Sequence, residues 1–212
     1  MLATSTLISF GLCYLLIIFS KTFDIYDRPN YRKLHKAPTS KIGGFGIVFT
    51  FFISSWYYSN INLYLLTSCL ILILLIIFDE IFDLNNYFRL FVQIISSIPL
   101  ILPIENNLNQ FLLLFVALFI VCAFINLFNF FDGLNTLLSS QFIIILIFYY
   151  FNQGITGLTI YNNDIKILIG SSLGFLVLNA LGLIFMGDVG SCFFGLVVSS
   201  LCLSSIFEIN FY

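Results

Sequence analysis

The chain has 212 residues, 60% of them hydrophobic and only 8% charged, where a soluble domain carries roughly 25% charged residues. So few charges cannot clothe a water-facing surface, which excludes a soluble globular protein, and a net charge of −2 leaves no basic footprint for nucleic acid. The apolar runs are long and continuous rather than short and alternating, which excludes a transmembrane β-barrel and predicts an all-α polytopic membrane protein.

In chain order, the apolar runs predict eight spans, at about 2–20, 42–58, 63–79, 88–104, 110–127, 136–152, 165–185 and 192–207, within one domain covering 1–212. The first reads as a membrane helix and not a cleaved leader, because no basic residue precedes it and no small-residue cleavage site follows. The cysteines Cys13, Cys69, Cys122, Cys192 and Cys202 all lie inside apolar runs, without CxxC or His/Cys clustering. They read as small buried hydrophobes.

Charge orients these spans. The connection after the first run holds Lys21, Arg28, Arg32, Lys33, Lys36 and Lys41, six of the eight basic residues. Loops rich in Lys and Arg stay in the cytosol, so the amino terminus is expected outside. Alternation then places Asp79, Glu80, Asp83 and Arg89 in the second cytosolic turn. Asn126, Asn129, Asp132 and Asn135 fall in the third, and Asp188 in the fourth. The outer side keeps only Glu105, Asp164, Lys166 and Glu208. Every dense polar cluster is thus expected on one face.

Four clusters offer chemistry. In FDEIFDL, Asp79 and Asp83 are four apart and share a face if the helix continues; the bland alternative is a pair of solvated helix caps. In NLFNFFDGLN, Asn126, Asn129 and Asp132 recur every third residue, a polar stripe that predicts a lined cavity or an amide network between helices. Gly133 is expected to supply an unusual backbone turn. In FMGDVGS, Gly187 and Gly190 flank Asp188 and are expected to let the backbone approach a ligand, although such a run also suits a plain tight turn. In DRPNYRKLHKAPTSKIGGFG, His35 is the sole histidine, and Arg32, Lys33, Lys36 and Lys41 suit either anionic lipid or substrate phosphate. Carboxylates gathered beside basic residues suit Mg²⁺, a hard cation that takes oxygen ligands and carries phosphates.

These motifs, in this order, resemble the polyprenyl-phosphate N-acetylhexosamine-1-phosphate transferases, glycosyl transferase family 4. Residues 27–47 resemble the family's first cytosolic loop. FDEIFDL at 78–84, followed by Arg89 and Gln93, is similar to its acidic motif. NLFNFFDGLNTL at 126–137 and FMGDVGS at 185–191 are similar to the two motifs that follow. The resemblance implies transfer of a sugar-1-phosphate from a UDP-N-acetylhexosamine to undecaprenyl or another polyprenyl phosphate, with release of UMP. That reaction starts a cell-envelope glycan such as peptidoglycan, O-antigen or lipopolysaccharide. It implies Asp79, Glu80 and Asp132 as catalytic groups, and Asp188 with Asp132 as holders of Mg²⁺ (Mn²⁺ serving in its place). Arg32, His35, Lys41, Arg89, Asn126 and Asn129 would bind substrate. It further implies a bacterial inner (plasma) membrane location with a cytosolic active face, contact with membrane lipids, and a homodimer as one open assembly state.

The chain departs from the family pattern where Glu80 replaces an aspartate and where Asn135 stands for a second one. The family's later helices and its His/Arg loop are expected to be missing after Tyr212. Two other readings stand beside the enzyme. One is a shortened, non-catalytic homologue that binds polyprenyl phosphate or scaffolds partners. The other is an ion-coupled transporter, which leaves unexplained why the polar clusters gather at one face and not at the midplane.

Overall fold

The structure is a computed structural model that describes residues 1–29, 37–58, 62–82, 84–103, 110–156 and 162–207. Among these residues there are eight α-helices: α1 (Leu2–Phe23), α2 (Gly43–Tyr58), α3 (Leu63–Phe82), α4 (Asn86–Ile101), α5 (Gln110–Phe131), α6 (Leu137–Thr156), α7 (Asn162–Ala180) and α8 (Gly187–Phe207). Three stretches, Leu2–Phe23, Leu112–Phe131 and Gly187–Ile206, are long and apolar enough to cross a membrane. Large apolar side chains such as Leu7, Phe115 and Phe148 are about 70% exposed on their helices. Such surface is costly in water and ordinary in lipid. The protein is an all-α integral membrane protein, and its five cysteines are free thiols.

The chain forms two compact units, one from 1–60 with 131–190 and the other from 61–130 with 191–212. In the first unit α1 lies along α7, and small residues make the fit. Ser9 Oγ donates to the Ser171 carbonyl at 2.6 Å. A Cβ on Gly174 would collide with the Thr6 carbonyl and the Phe10 amide. Helices in lipid gain nothing from burying apolar faces on each other, so close approach and interhelical hydrogen bonds hold them together. At the far end of α2, Ser55 Oγ donates to Asp164 at 3.1 Å. Asp164 is buried in the first turn of α7, where the helix dipole favours a carboxylate.

The long first connection contains a small sheet that the helical reading did not foresee. α1 stops because Asp24 turns left-handed (φ 55), and the Ile25 amide bonds back to the Ser20 carbonyl at 3.0 Å. β1 (Tyr26–Asp27) then pairs antiparallel with β2 (Thr39–Ser40), and Ser40 also bridges in parallel to Ile184. The amides of Phe185, Gly43 and Gly44 donate to the carbonyls of Ser40, Phe185 and Met186 at 2.7, 3.0 and 2.8 Å. These bonds lash the start of α2 to the strand-like segment that leads into α8.

That segment corrects the expected seventh span. Residues 181–186 are apolar, yet α7 ends at Ala180 in a Schellman turn. Gly182 takes φ +69, its amide reaches the Asn179 carbonyl at 2.9 Å, and the Leu183 amide reaches the Leu178 carbonyl at 3.1 Å. The fourth span begins earlier than its apolar run because Asn85 caps α4, accepting from the Phe88 amide at 2.8 Å, and its helix ends at Ile101.

In the second unit, α3 packs on α4, and α8 meets α5 at Gly195, where a Cβ would stand 2.6 Å from the Phe124 carbonyl oxygen.

Candidate active-site residues

In the second unit the acidic motif ends α3. Asp79 Oδ1 accepts from Arg89 Nε at 2.8 Å and from the Leu84 amide at 3.1 Å. The Asp79 side chain is 14% exposed and that of Arg89 42%. The carboxylate is therefore held by a charge-assisted bond and by the backbone of the turn that leads into α4. Asp83, expected on the same face, lies outside the described residues, as does the side chain of Glu80.

One turn beyond Arg89 on α4, Gln93 meets Asn126 of α5 in a reciprocal amide pair. Asn126 Nδ2 donates to Gln93 Oε1 at 2.7 Å, and Gln93 Nε2 donates to Asn126 Oδ1 at 3.3 Å. Asn126 Nδ2 also donates to the Cys122 carbonyl at 2.8 Å. Of the two readings open for the asparagine stripe, the amide network describes Asn126, whose side chain joins two helices. Asn129, one turn on, is exposed, and its Oδ1 accepts from Ser191 Oγ at 2.9 Å. Gln93 entered the sequence reading only through the family resemblance, and Ser191 only as a letter of its motif. Nothing in their spacing signalled these partnerships, which cross between helices.

In the first unit, Asp132 is not the third member of a helical stripe. α5 ends at Phe131, and Asp132 opens the turn. Gly133, expected to supply an unusual backbone, has no positive φ; Thr136 takes that conformation (φ 66). The Thr136 amide is held by Asn179 Oδ1 at 2.7 Å, and Asn179 Nδ2 donates to the Ile184 carbonyl, also at 2.7 Å. One asparagine, which the sequence did not single out, thus ties the turn after Asp132 to the segment before Asp188.

Asp132 receives a backbone hydrogen bond from Gly187, which lowers its pKa, but burial and then the nearby Asp188 carboxylate outweigh it and push it up to about 7. Asp188 is exposed in the first turn of α8. The flanking glycines make close packing possible within the protein itself. Gly187 takes φ +68, and a Cβ there would strike the Lys41 carbonyl oxygen. A Cβ on Gly190 would strike Met186 and the Cα of Gly44. Their smallness lets the GGFG run of α2 and the backbone of Lys41 close on the start of α8. The structure thereby brings Lys41, Asp132 and Asp188 into one neighbourhood. Arg32 and His35, with Lys33 and Lys36, lie outside the described residues.

The donors present fit magnesium. Among the described residues no three His, Cys, Asp or Glu side chains gather into an all-protein metal cage. Mg²⁺ needs none, since it keeps waters and binds through one or two carboxylates plus phosphate oxygens. Asp132 and Asp188 offer two mutually repelling carboxylates, an arrangement that a divalent cation relieves.

The family model of glycosyl transferase family 4 matches residues 62–206. The chain belongs to glycosyl transferase family 4. It is 30% identical over 158 residues to an undecaprenyl-phosphate alpha-N-acetylglucosaminyl 1-phosphate transferase of Salmonella typhi, covering 64% of this chain and 43% of that protein. It is 31% identical over 172 residues to a Sulfolobus acidocaldarius protein described as a putative UDP-N-acetylglucosamine–dolichyl-phosphate N-acetylglucosaminephosphotransferase, covering 69% and 52%. A Thermotoga maritima protein with the first of these names is 32% identical over 136 residues, covering 63% and 45%. This family 4 chain thus spans about half the length of the curated relatives it matches.

Proposed function

We propose that this family 4 protein transfers N-acetylhexosamine-1-phosphate from a UDP-sugar to a polyprenyl phosphate such as undecaprenyl phosphate, initiating a cell-envelope glycan. The observation that carries the reading is Asp132 standing near the Asp188 carboxylate and accepting a hydrogen bond from the Gly187 amide, within the family's own motifs. In the reaction, an oxygen of the lipid phosphate bonds to the phosphorus that bears the sugar. The bond from that phosphorus to the bridging oxygen breaks, and the bridging oxygen leaves on UMP. Asp79 accepts any proton remaining on the attacking phosphate, and Arg89 keeps Asp79 in place. Glu80 adds a second carboxylate at the same helix end. Arg32, His35, Lys41 and Asn129 bind the anionic substrates. Asp188 and Asp132 would hold Mg²⁺ (or Mn²⁺), which when bound would neutralise charge on the diphosphate and ease departure of UMP.

In this reading the eight helices all span the bacterial inner membrane, the amino terminus lies outside, and the motif ends face the cytosol, where UDP-sugars are found. The basic residues of the first connection support that orientation. The test is UMP release by the detergent-solubilised chain supplied with Mg²⁺, undecaprenyl phosphate and UDP-GlcNAc. Release that requires lipid, metal and Asp188 (lost in Asp188→Asn) supports the proposal. A folded protein that releases no UMP from any UDP-N-acetylhexosamine sinks it, leaving a homologue that binds polyprenyl phosphate without turning it over.

A further inference from the structure

The two stretches that carry Asp132 and Asp188 are joined at two places. At one, the Gly187 amide donates to Asp132. At the other, Asn179 Oδ1 accepts from the Thr136 amide and Asn179 Nδ2 donates to the Ile184 carbonyl, both at 2.7 Å. Thr136 lies four residues after Asp132, and Ile184 four before Asp188. The Asp188 stretch is also fastened elsewhere. Ile184 bridges to Ser40, and the Phe185 amide donates to the Ser40 carbonyl at 2.7 Å. Asn179 is itself well anchored. Its side chain is in a residue only 4% exposed, and its carbonyl accepts from the Gly182 amide in the turn that ends α7. Thr136 stands in the left-handed region (φ 66), a conformation that a β-branched residue rarely adopts unless its surroundings hold it there.

We propose that Asn179 is a positioning residue for the metal site, whose two-sided amide fixes the separation of the Asp132 and Asp188 carboxylates and so presets the pair for one divalent cation. The inference rests on the transferase reading above and deepens it. Like charges move apart when no cation lies between them. Without Asn179, the Gly187 bond becomes a hinge about which the Asp132 turn yields to that repulsion. A cation would then have to draw the carboxylates back together, and its affinity falls by that cost. An asparagine suits the task because one short planar group carries both an acceptor for Thr136 and a donor for Ile184.

The test measures Mn²⁺ binding to the detergent-purified full chain with UDP present, by electron paramagnetic resonance, together with the Mg²⁺ dependence of UMP release. Asn179→Ala is expected to weaken Mn²⁺ by about tenfold, the lower end of what losing a group that orients metal ligands costs. The Mg²⁺ concentration for half-maximal UMP release should rise by a similar factor, and saturating Mg²⁺ should restore most of the parent rate. Asn179→Ser, whose shorter side chain cannot span both partners, should lose as much and serves where the alanine variant does not fold. Ser55→Ala, which breaks the buried bond to Asp164 at the far end of α2, controls for a general loss of stability. Its melting temperature should fall while its Mn²⁺ affinity stays with the parent. Parent-like Mn²⁺ affinity in folded Asn179→Ala or Asn179→Ser, or an equal loss in Ser55→Ala, overturns the proposal alone. A parent chain that neither holds Mn²⁺ nor releases UMP overturns the transferase reading, and this inference with it.

Discussion

Gly44 of α2 and Gly190 of α8 meet backbone to backbone. A Cβ on Gly44 would overlap the Gly190 amide and Cα and approach the Met186 carbonyl oxygen to 2.9 Å. Because the obstructing atoms are backbone, no side-chain rotation relieves the clash. Gly44→Ala is expected to destabilise the protein by at least about 1–3 kcal/mol, the usual cost of overpacking a tight core. The melting temperature in detergent should fall by several degrees. Gly11→Ala is the control, since nothing lies within 4 Å of its added methyl. An unchanged Gly44→Ala melt would show that the two helices part easily.

Asp132 and Asp188 repel one another when no cation lies between them. Asp188→Asn is therefore expected to raise the melting temperature in EDTA, through relief of like charge in a partly buried site. With millimolar Mg²⁺ the order should reverse, because the parent gains binding free energy that the variant cannot. Thermal scans of both proteins with and without Mg²⁺ check this. Equal Mg²⁺ stabilisation of the two would remove Asp188 from the metal site.

Gln93 and Asn126 should behave as a unit. Asn126→Ala leaves the buried Gln93 amide without its side-chain partner, at a cost of about 1–3 kcal/mol. Gln93→Ala should cost a similar amount, and the double variant much less than the sum. Additive losses in a denaturation cycle would mean that the amide pair contributes little.

Arg89 is expected to matter for rate more than for stability, because its half of the ion pair is well exposed to solvent. Arg89→Ala should lower UMP release by tenfold or more, with only a small change in melting temperature. Arg89→Lys should recover little, since a lysine ammonium cannot reproduce the directed Nε–H bond to Asp79. A lysine variant with full activity would reduce Arg89 to a simple positive charge.

The helices, their order and most of their limits were legible in the sequence because each records its own solvent. Continuous apolar runs, broken by Asn, Gly and charge, mark where chain sits in lipid whatever its neighbours do. The candidate site side chains stood out for a similar reason. Carboxylates such as Asp79, Asp132 and Asp188 are costly in an apolar chain unless solvated, paired or bound to a cation. Their family resemblance also lies in short local motifs.

Tertiary structure alone decided what those groups touch. The end of α7 in the midst of an apolar run depends on Gly182 and on Asn179, which bonds across to Thr136 and Ile184. The β1–β2 ribbon and its bridge to Ile184 are invisible to hydropathy, because their backbone bonds join segments far apart in the chain. Asp132 leaves the helix that its three-residue spacing suggested, and Gly187 and Gly190 let the start of α2 close on the start of α8. Sequence by itself determined which residues are costly and which stretches prefer lipid, both properties of single residues and their near neighbours. The pairing of Asp79 with Arg89, Asn126 with Gln93 and Asn129 with Ser191 is a property of helices brought side by side, and only the folded chain supplies it.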